Sequence, residues 1–282
     1  MAINSLRPTT PSSRGTRLVN RSHLEKSGGP KSLTIHKKKT SGRNNTGRIT
    51  VRHRGGGEKR RIRIVDFKRD KFDIPSKVEG IYFDPNRSAN LALLCFTDGE
   101  KRYIIAPKGI KKGDVIVSGE KTDVLVGNAM KVKNIPSGTV VHCVEIEPGQ
   151  GAKLGRSAGQ SIVVLGADTT GKYVQLRMTS GEVRMVFADA MATIGQAGNE
   201  DKMNEKIGKA GRNRHLGIRP TVRGMAMHAV QHPHGGGEGK GVIGKAKDIW
   251  GHRIGTRTRR NKRTDKMIIK RRRTKTRPFA KK

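Results

Sequence analysis

Three histidines, His228, His232 and His234, lie close together in the last third of the chain. Imidazole titrates near neutral pH and ligates zinc, so such a cluster could form a metal site or an acid–base pair. No cysteine or suitably spaced carboxylate completes a tetrahedral site, and the basic surroundings disfavour another cation. The sequence therefore favours a loop of defined conformation that contacts nucleic acid, and it predicts no metal and no catalytic residue.

The glycine-rich run after these histidines matches the letters of a nucleotide-binding motif but not its context. Residues 239–244 have the spacing G-x-G-x-x-G, yet no predicted strand precedes them and no βαβ pattern surrounds them. The P-loop pattern also fails, because Lys240 is followed by Gly241 and not by Ser or Thr. Since the sequence shows neither a serine elbow nor paired catalytic carboxylates, we expect that the protein is not an enzyme.

The net charge predicts a polyanionic partner. The 282 residues include 60 Lys and Arg against 23 Asp and Glu, for a formal charge of +37. Residues 1–63 carry a net charge of +15 and residues 201–282 one of +20, whereas residues 64–200 carry only +2. Nucleic acid is the usual partner of so basic a chain, and an anionic membrane is the rival. No apolar run approaches the roughly 18 residues of a membrane span, so we expect no membrane partner.

RNA fits the two basic ends better than DNA does. Proteins that read DNA place a preformed helix or ribbon in the major groove, and the ends show neither a basic helix with apolar periodicity nor zinc-finger spacing. Aromatic residues make up only 4% of the chain, which argues against base stacking as the dominant contact. We therefore expect recognition of RNA backbone and shape. A nonspecific DNA-packaging protein is the alternative, although charge neutralisation does not require ordered β domains.

The candidate RNA-binding residues are lysines, arginines, histidines and glycines of the two ends. Lys and Arg meet phosphates, and Gly lets the backbone approach closely. In the first end the candidates are Lys37, Lys38, Lys39, Arg48, Arg52, His53, Arg54, Gly55, Gly56, Gly57, Lys59 and Arg60. In the last end they are Lys209, Arg212, Arg214, Arg219, Arg223, His228, His232, His234, Gly235, Gly236, Gly237, Lys240, Arg260, Lys262, Arg263, Lys266, Arg271, Arg272 and Arg273.

The nearly neutral middle predicts an all-β fold. Short strands recur between Gly, Pro and Ser turns, a pattern typical of small barrels. We predict one barrel over residues 61–127, including a strand at residues 124–126, and a second over residues 128–200. Residues 1–60 and 201–282 are predicted to be extended basic regions. Helix is confined to a turn or two near residues 187–194 and 201–207.

Two further features concern location. Cys95 and Cys143 lie in apolar, strand-like runs without metal-ligand spacing, so we predict core residues in a reducing compartment. Residues 1–15 are rich in Ser and Thr and poor in acids, which fits an RNA-binding arm better than an organelle transit peptide.

Four motifs in order carry a resemblance to a known family. They are GRITVRHRGGG at residues 47–57, GKAGRNRHLGIRPTVRG at 208–224, HPHGGGEG at 232–239 and NKRTDK at 261–266. Over essentially its whole length, the chain resembles the second protein of the large ribosomal subunit in its bacterial form. This resemblance implies an OB-like barrel followed by an SH3-like barrel, with extended basic ends inserted into large-subunit ribosomal RNA.

The resemblance also implies a function. Members of the family are primary ribosomal RNA binders that support association with the small subunit. Their His-Pro-His-Gly-Gly-Gly loop points towards the peptidyl-transferase region, where RNA makes the peptide bonds. We therefore expect a structural role in the cytoplasmic ribosome, with large-subunit RNA and other ribosomal proteins as partners. We expect no homo-oligomer, and no cofactor beyond the Mg²⁺ that accompanies RNA.

Four positions depart from the usual family pattern. The family commonly has histidine at 58, tryptophan at 215, asparagine followed by proline at 228, and aspartate at 231. This chain instead has Glu58, His215, His228 and Gln231. The change at 215 removes a stacking or packing anchor. Gln231 leaves His232 without an adjacent carboxylate to orient it, which weakens any general-base role.

Overall fold

The computed structural model describes residues 3–238, 244–256 and 262–272, and these form two compact units. One unit, which we call the barrel unit, combines the described residues up to 37, from 59 to 209 and from 265 onward. The other, the basic unit, combines residues 38–58 with the described residues from 210 to 264. The division at residues 60, 127 and 200 that the sequence suggested stays a prediction.

Short strands dominate the barrel unit, which confirms the predicted all-β class. The strands of the described residues are β1 (Ile3–Ser5), β2 (Arg17–Val19), β3 (Thr34–His36), β4 (Arg61–Arg63), β5 (Ser76–Tyr82), β6 (Leu91–Phe96), β7 (Lys101–Ile105), β8 (Val115–Ile116), β9 (Ala129–Lys131), β10 (Val140–His142), β11 (Ile162–Ala167), β12 (Tyr173–Arg177), β13 (Val183–Phe187), β14 (Met191–Ile194) and β15 (Ile268–Lys270). The α-helices are α1 (Pro11–Arg14) and α2 (Ala210–His215). Single 3₁₀ turns occur at Lys31–Leu33, Val132–Asn134, Glu200–Asn204, Gly224–Ala226 and Asp265–Met267.

The first large sheet has the strand order β7-β6-β5-β8 and is antiparallel. Its strand β6 is apolar throughout and buried on both faces. Ala92, Leu94 and Phe96 belong to one hydrophobic cluster, and Leu91 and Leu93 belong to another. This alternation follows from the two-residue period of a strand. β6 therefore joins two cores, which is why its sequence is a continuous apolar run.

The second large sheet has the order β15-β13-β12-β11-β10-β14-β9, with neighbouring strands antiparallel. One cluster of buried apolar residues packs against it, including Met130, Val141, Leu176 and Val186. The edge strand β15 comes from the basic C-terminal end, which the sequence predicted to be extended RNA-binding chain. Part of that end therefore completes a sheet.

A buried carboxylate is satisfied by backbone groups of the same unit. Glu145 is 1% exposed, and its oxygens accept N–H groups of Gly151 at 2.7 Å, Met191 at 3.1 Å and Gly149 at 3.2 Å. This carboxylate organises a turn and is not available for catalysis. Nearby, burial raises the pKa of the Cys143 thiol to about 12, so the thiol stays protonated, as suits a core residue.

Two local predictions are wrong. Residues 124–126 are not a strand, because they pair with no neighbouring strand and their side chains are exposed. They lead into a turn at Gly127, which has a φ of 100°. Residues 187–194 contain no helix but the end of β13 and strand β14. Pairing of β14 with β9 and β10 overrides the helical propensity of the alanines there. The helical turn predicted near 201–207 is confirmed as the 3₁₀ turn Glu200–Asn204.

Residues 3–37 are anchored within the barrel unit. Thr16, Val19 and Leu24 are buried. The N–H of Arg17 donates to the carbonyl of Lys206 at 3.0 Å, and the N–H of Lys206 donates back at 2.8 Å. Among the described residues, no helix has the length and apolar character needed to cross a membrane.

Candidate nucleic-acid interface

The basic unit joins two segments that lie far apart in the sequence. The N–H of Gly55 donates to the carbonyl of Gly217 at 2.9 Å, and that of Arg219 donates to the carbonyl of His53 at 3.0 Å. The N–H of Glu58 donates to the carbonyl of His215 at 3.0 Å. These bonds place two of the four sequence motifs side by side. The structure thus brings many of the predicted RNA-binding residues into one unit.

Glycine is required where these backbones meet. A Cβ on Gly57 would lie 2.7 Å from the Cα of Gly217, and one on Gly235 would lie 2.4 Å from the carbonyl oxygen of His228. Any side chain at either position would push the neighbouring backbone away. The sequence predicted glycines that let the backbone approach RNA. In the structure, Gly57 and Gly235 first let the chain approach itself.

The short helix α2 presents two of the predicted arginines. Arg212 and Arg214 lie in its last turn, where the helix dipole favours positive charge. The helix ends at His215, and Gly217, two residues further on, has a φ of 83° and donates its N–H to the carbonyl of Arg214 at 2.9 Å. The sequence did not predict this helix, because six residues that include Gly211 carry too little periodicity.

Each histidine of the cluster has one ring nitrogen held by a backbone N–H. His228 Nδ1 accepts from Val230 at 3.4 Å, His232 Nδ1 from His234 at 3.1 Å, and His234 Nε2 from Lys247 at 2.9 Å. Each of these hydrogen bonds fixes the orientation of the ring relative to the backbone. The described residues contain no group of three or more potential metal ligands. The three histidines therefore fix the shape of the loop.

The arginines of the basic unit are short of carboxylate partners. Its two sequence segments hold 19 Lys and Arg but only 3 Asp and Glu. Glu58 Oε1 lies 2.8 Å from His215 Nδ1, and Asp248 Oδ2 lies 3.1 Å from His252 Nδ1, so these carboxylates contact histidines. Five predicted arginines form no ion pair within the described part of the chain: Arg48, Arg52, Arg54, Arg219 and Arg223. Their charge is left for a partner outside the chain.

The basic unit has no apolar core. None of its described residues is buried, and Val230 is 88% exposed. Trp250, the one tryptophan of the chain, is 74% exposed. The backbone N–H groups of Trp250 and His252 donate to Asp248 Oδ1 at 3.0 and 2.8 Å, which fixes the turn that carries the ring. Sequence reasoning missed Trp250 because aromatic residues are so few. Its position between basic residues was the available signal.

The remaining predicted lysines and arginines fall into three groups. Lys38, Lys39, Lys262 and Arg263 are exposed in the basic unit, where Lys39 Nζ donates to the carbonyl of Gly57. The barrel unit holds Lys37, which donates to Asn86 Oδ1 at 3.1 Å, Arg60, which donates to the carbonyl of Pro85 at 2.9 Å, and Arg271, which pairs with Asp265 at 3.1 Å. Also in that unit, and exposed, are Lys59, Lys209, Lys266 and Arg272. Lys240, Arg260 and Arg273 lie outside the described residues.

Comparison with known proteins points to one family. The family model described as Ribosomal Proteins L2, RNA binding N-terminal domain, matches residues 30–118, and the model for the C-terminal domain of the same proteins matches residues 125–251. The large ribosomal subunit protein uL2 of Delftia acidovorans is 52% identical over 274 residues, which cover 96% of this chain and 99% of that protein. The similarity therefore extends over nearly the whole chain.

Proposed function

This chain belongs to the ribosomal protein L2 family, and from that premise we propose that it is a primary ribosomal RNA binder, which stabilises large-subunit RNA near the peptidyl-transferase region and supports association with the small subunit. Family membership itself makes the chain an RNA-binding structural constituent of the large ribosomal subunit and not an enzyme. Its location is the ribosome in the cytoplasm, as predicted.

One observation carries the proposal: unpaired arginines lie on a unit that has no apolar core. Arg52 and Arg54 precede the glycines that meet Gly217, and Arg219 lies two residues after Gly217. With no carboxylate partner among the described residues, these guanidinium groups repel one another until an external anion neutralises them. Phosphate oxygens accept the paired N–H donors of arginine well. An RNA backbone along this unit therefore supplies the missing counter-charge.

The histidine loop fits a positioning role near the peptidyl-transferase region. The rings of His228, His232 and His234 each retain a second nitrogen, which can donate to a phosphate oxygen or a ribose hydroxyl. Holding RNA in place requires no proton transfer and no resident cofactor. Mg²⁺ that accompanies RNA reduces phosphate repulsion, and other ribosomal proteins complete the list of proposed partners.

Charge-matched triple variants test the RNA-binding role of the basic unit. Arg52→Gln, Arg54→Gln and Arg219→Gln together remove three unpaired cations. Lys71→Gln, Lys101→Gln and Lys133→Gln remove three cations that pair with carboxylates of the barrel unit. We expect the arginine variant to lose about 100-fold in affinity for large-subunit RNA and to show a shallower salt dependence. The lysine variant should bind nearly as well as the unaltered protein.

Equal losses in the two variants would mean that total charge, and not the basic unit, determines binding. A competition titration with duplex DNA completes this test. Displacement of ribosomal RNA by an equal mass of duplex DNA would favour the DNA-packaging alternative.

Reconstituted large subunits test the proposed location of the histidine loop. We expect His232→Gln with His234→Gln to reduce subunit assembly or association with the small subunit, as measured by sedimentation. The rate of peptide-bond formation per assembled subunit should stay within about twofold of normal, a barrier change of less than about 0.5 kcal/mol. Normal assembly combined with loss of that rate would contradict a purely structural role.

A further inference from the structure

The tryptophan turn, which comprises residues 246–254 of the basic unit, is a short hairpin closed by backbone hydrogen bonds. The N–H of Asp248 donates to the carbonyl of His252 at 2.9 Å, and the N–H of Gly251 donates to the carbonyl of Asp248 at 3.1 Å. Gly251 has a φ of 84°, a conformation that glycine adopts without strain, and Trp250 directly precedes it. The backbone that carries the indole ring therefore has a defined conformation.

The turn presents the indole ring of Trp250 to the outside of the protein. Tryptophan is large and mostly apolar, and it is usually buried over much of its surface, whereas this ring is 74% exposed. The hydrogen bonds that Asp248 Oδ1 accepts in the turn come from backbone N–H groups, so they do not depend on the ring. The turn thus keeps its shape without help from the indole, and the exposed ring is available to a partner.

The charges around the ring indicate that this partner is an anion. Lys247 and Arg253 are opposite each other in an antiparallel bridge at the base of the turn, so their side chains leave the same face. Neither forms an ion pair within the described part of the chain, because Asp248 Oδ2 contacts His252 Nδ1 instead. Lys245 adds a third cation. A purely apolar partner would leave these cations unneutralised. An aromatic ring among free cations is instead typical of a surface that stacks on a nucleobase and contacts its phosphates.

We propose that the ring of Trp250 stacks on one unpaired base of the ribosomal RNA to which the protein binds, while Lys247 and Arg253 contact the phosphates beside that base. Stacking on aromatic side chains is a common way for proteins to hold bases that have left an RNA helix. The N–H of Lys247 donates to His234 Nε2 at 2.9 Å, which attaches the turn to the histidine loop. The stacked base therefore lies close to the nucleotides that this loop contacts.

This inference rests on the proposed function, and the intrinsic fluorescence of the full-length protein tests the two separately. Trp250 is the one tryptophan of the chain, so the emission reports on this ring, and stacking on a base quenches it. We expect protein-free large-subunit RNA to quench most of the emission, with the same midpoint as RNA binding measured on filters. Binding without quenching would overturn the stacking proposal and leave the proposed function standing, whereas absence of binding would overturn both. Quenching that appears only after other ribosomal proteins are added would also overturn the stacking proposal, since a protein would then cover the ring.

Two substitutions of Trp250 separate stacking from simple apolar contact. Trp250→Leu keeps an apolar side chain but removes the aromatic face, so we expect it to lose about 5- to 150-fold in affinity for large-subunit RNA. Trp250→Phe should retain most of the affinity. Phe72→Leu makes the same kind of change at an exposed ring of the barrel unit and should leave the affinity unaltered. If Trp250→Leu binds as tightly as Trp250→Phe, the stacking proposal is overturned.

The salt dependence of binding tests the phosphate contacts. Lys247→Gln with Arg253→Gln should lower the slope of log affinity against log salt concentration by about 2, because two phosphate contacts are lost. Trp250→Leu should weaken binding without changing that slope. An unchanged slope in the double variant would overturn the proposed phosphate contacts.

Discussion

The barrel unit and the basic unit handle positive charge in opposite ways. In the barrel unit, Arg102 contacts the carboxylates of Asp66 and Glu100, so its charge is neutralised within the chain. In the basic unit, Glu58 and Asp248 contact histidines, and arginines such as Arg52 and Arg219 have no carboxylate partner among the described residues. A cation that is already neutralised by a carboxylate of the chain attracts RNA phosphates only weakly. The difference shows which part of the molecule depends on an external polyanion.

The two units also differ in what holds them together. Fully buried side chains such as Leu91, Tyr103 and Leu176 lie in the barrel unit, where apolar burial stabilises the fold. The basic unit has no buried residue in its described part, and its segments are joined by backbone hydrogen bonds and close glycine contacts. We therefore expect changes inside the barrel unit to affect stability, and changes in the basic unit to affect RNA binding.

Two glutamate substitutions give the largest expected contrast. Glu145→Ala should lower the free energy of unfolding of the barrel unit by about 3–5 kcal/mol, because three backbone N–H groups lose their acceptor in a buried site. Glu58→Ala removes an exposed carboxylate of the basic unit and should change that free energy by less than about 0.5 kcal/mol. Urea unfolding followed by circular dichroism measures both. Equal effects would remove the distinction between the units.

A buried histidine gives the barrel unit a dependence on pH. Burial, assisted by the charge of Arg69, lowers the pKa of His142 to about 4, whereas histidine in an unfolded chain has a pKa of about 6.5. Between these values the unfolded chain binds more protons than the folded chain does. The contribution of His142 is therefore fully present above about pH 6.5 and is lost as the pH falls towards 4, by at most roughly 3 kcal/mol.

His142→Asn provides the control for this pH dependence. Asparagine can still donate to the carbonyl of Gly195, which His142 Nδ1 contacts at 2.9 Å, but it does not titrate. Unfolding free energies measured in steps from about pH 7.5 to about pH 4.5 should fall less steeply for this variant. Parallel curves for the two proteins would show that other groups cause the acid sensitivity.

The difference between the two units also explains which structural features can be predicted from the sequence. Strands such as β6 and β12 follow from local apolar patterns, and the segregation of charge follows from composition. The pairing of Gly55 with Gly217 does not, because it joins residues more than 150 positions apart through backbone groups that leave no side-chain pattern. The edge position of β15 is likewise set by its pairing with β13.

Single side chains limit prediction of the site in a similar way. The basic composition indicates which segments contact RNA. The composition does not show that the amide oxygen of Asn199 is buried without a partner, because asparagine in a loop usually indicates only a turn. Nor does it show that Trp250 is exposed, because most tryptophans are largely buried. Such facts depend on tertiary packing.

Removal of an exposed aromatic ring in each unit sharpens the comparison further. Trp250→Ala should weaken binding to large-subunit RNA by about 1–3 kcal/mol if the ring stacks on a base, while the unfolding free energy stays unchanged. Trp250→Phe should retain most of the affinity. Phe72→Ala removes a 43% exposed ring from the barrel unit and should leave RNA affinity unaltered. A filter-binding titration compares the variants, and equal affinity of Trp250→Ala and unaltered protein would exclude stacking.

The smallest effect concerns the pair Glu58 and His215, two of the positions at which the chain departs from the family pattern. Their side chains lie 2.8 Å apart, and the N–H of Glu58 donates to the carbonyl of His215, so the two departures are in direct contact. Both side chains are largely exposed, so their coupling should be about 0.5 kcal/mol or less. Hydrogen exchange at the Glu58 amide, in a double-mutant cycle of Glu58→Ala and His215→Ala, measures that coupling. A coupling of zero would mean that the backbone hydrogen bond alone joins the segments here.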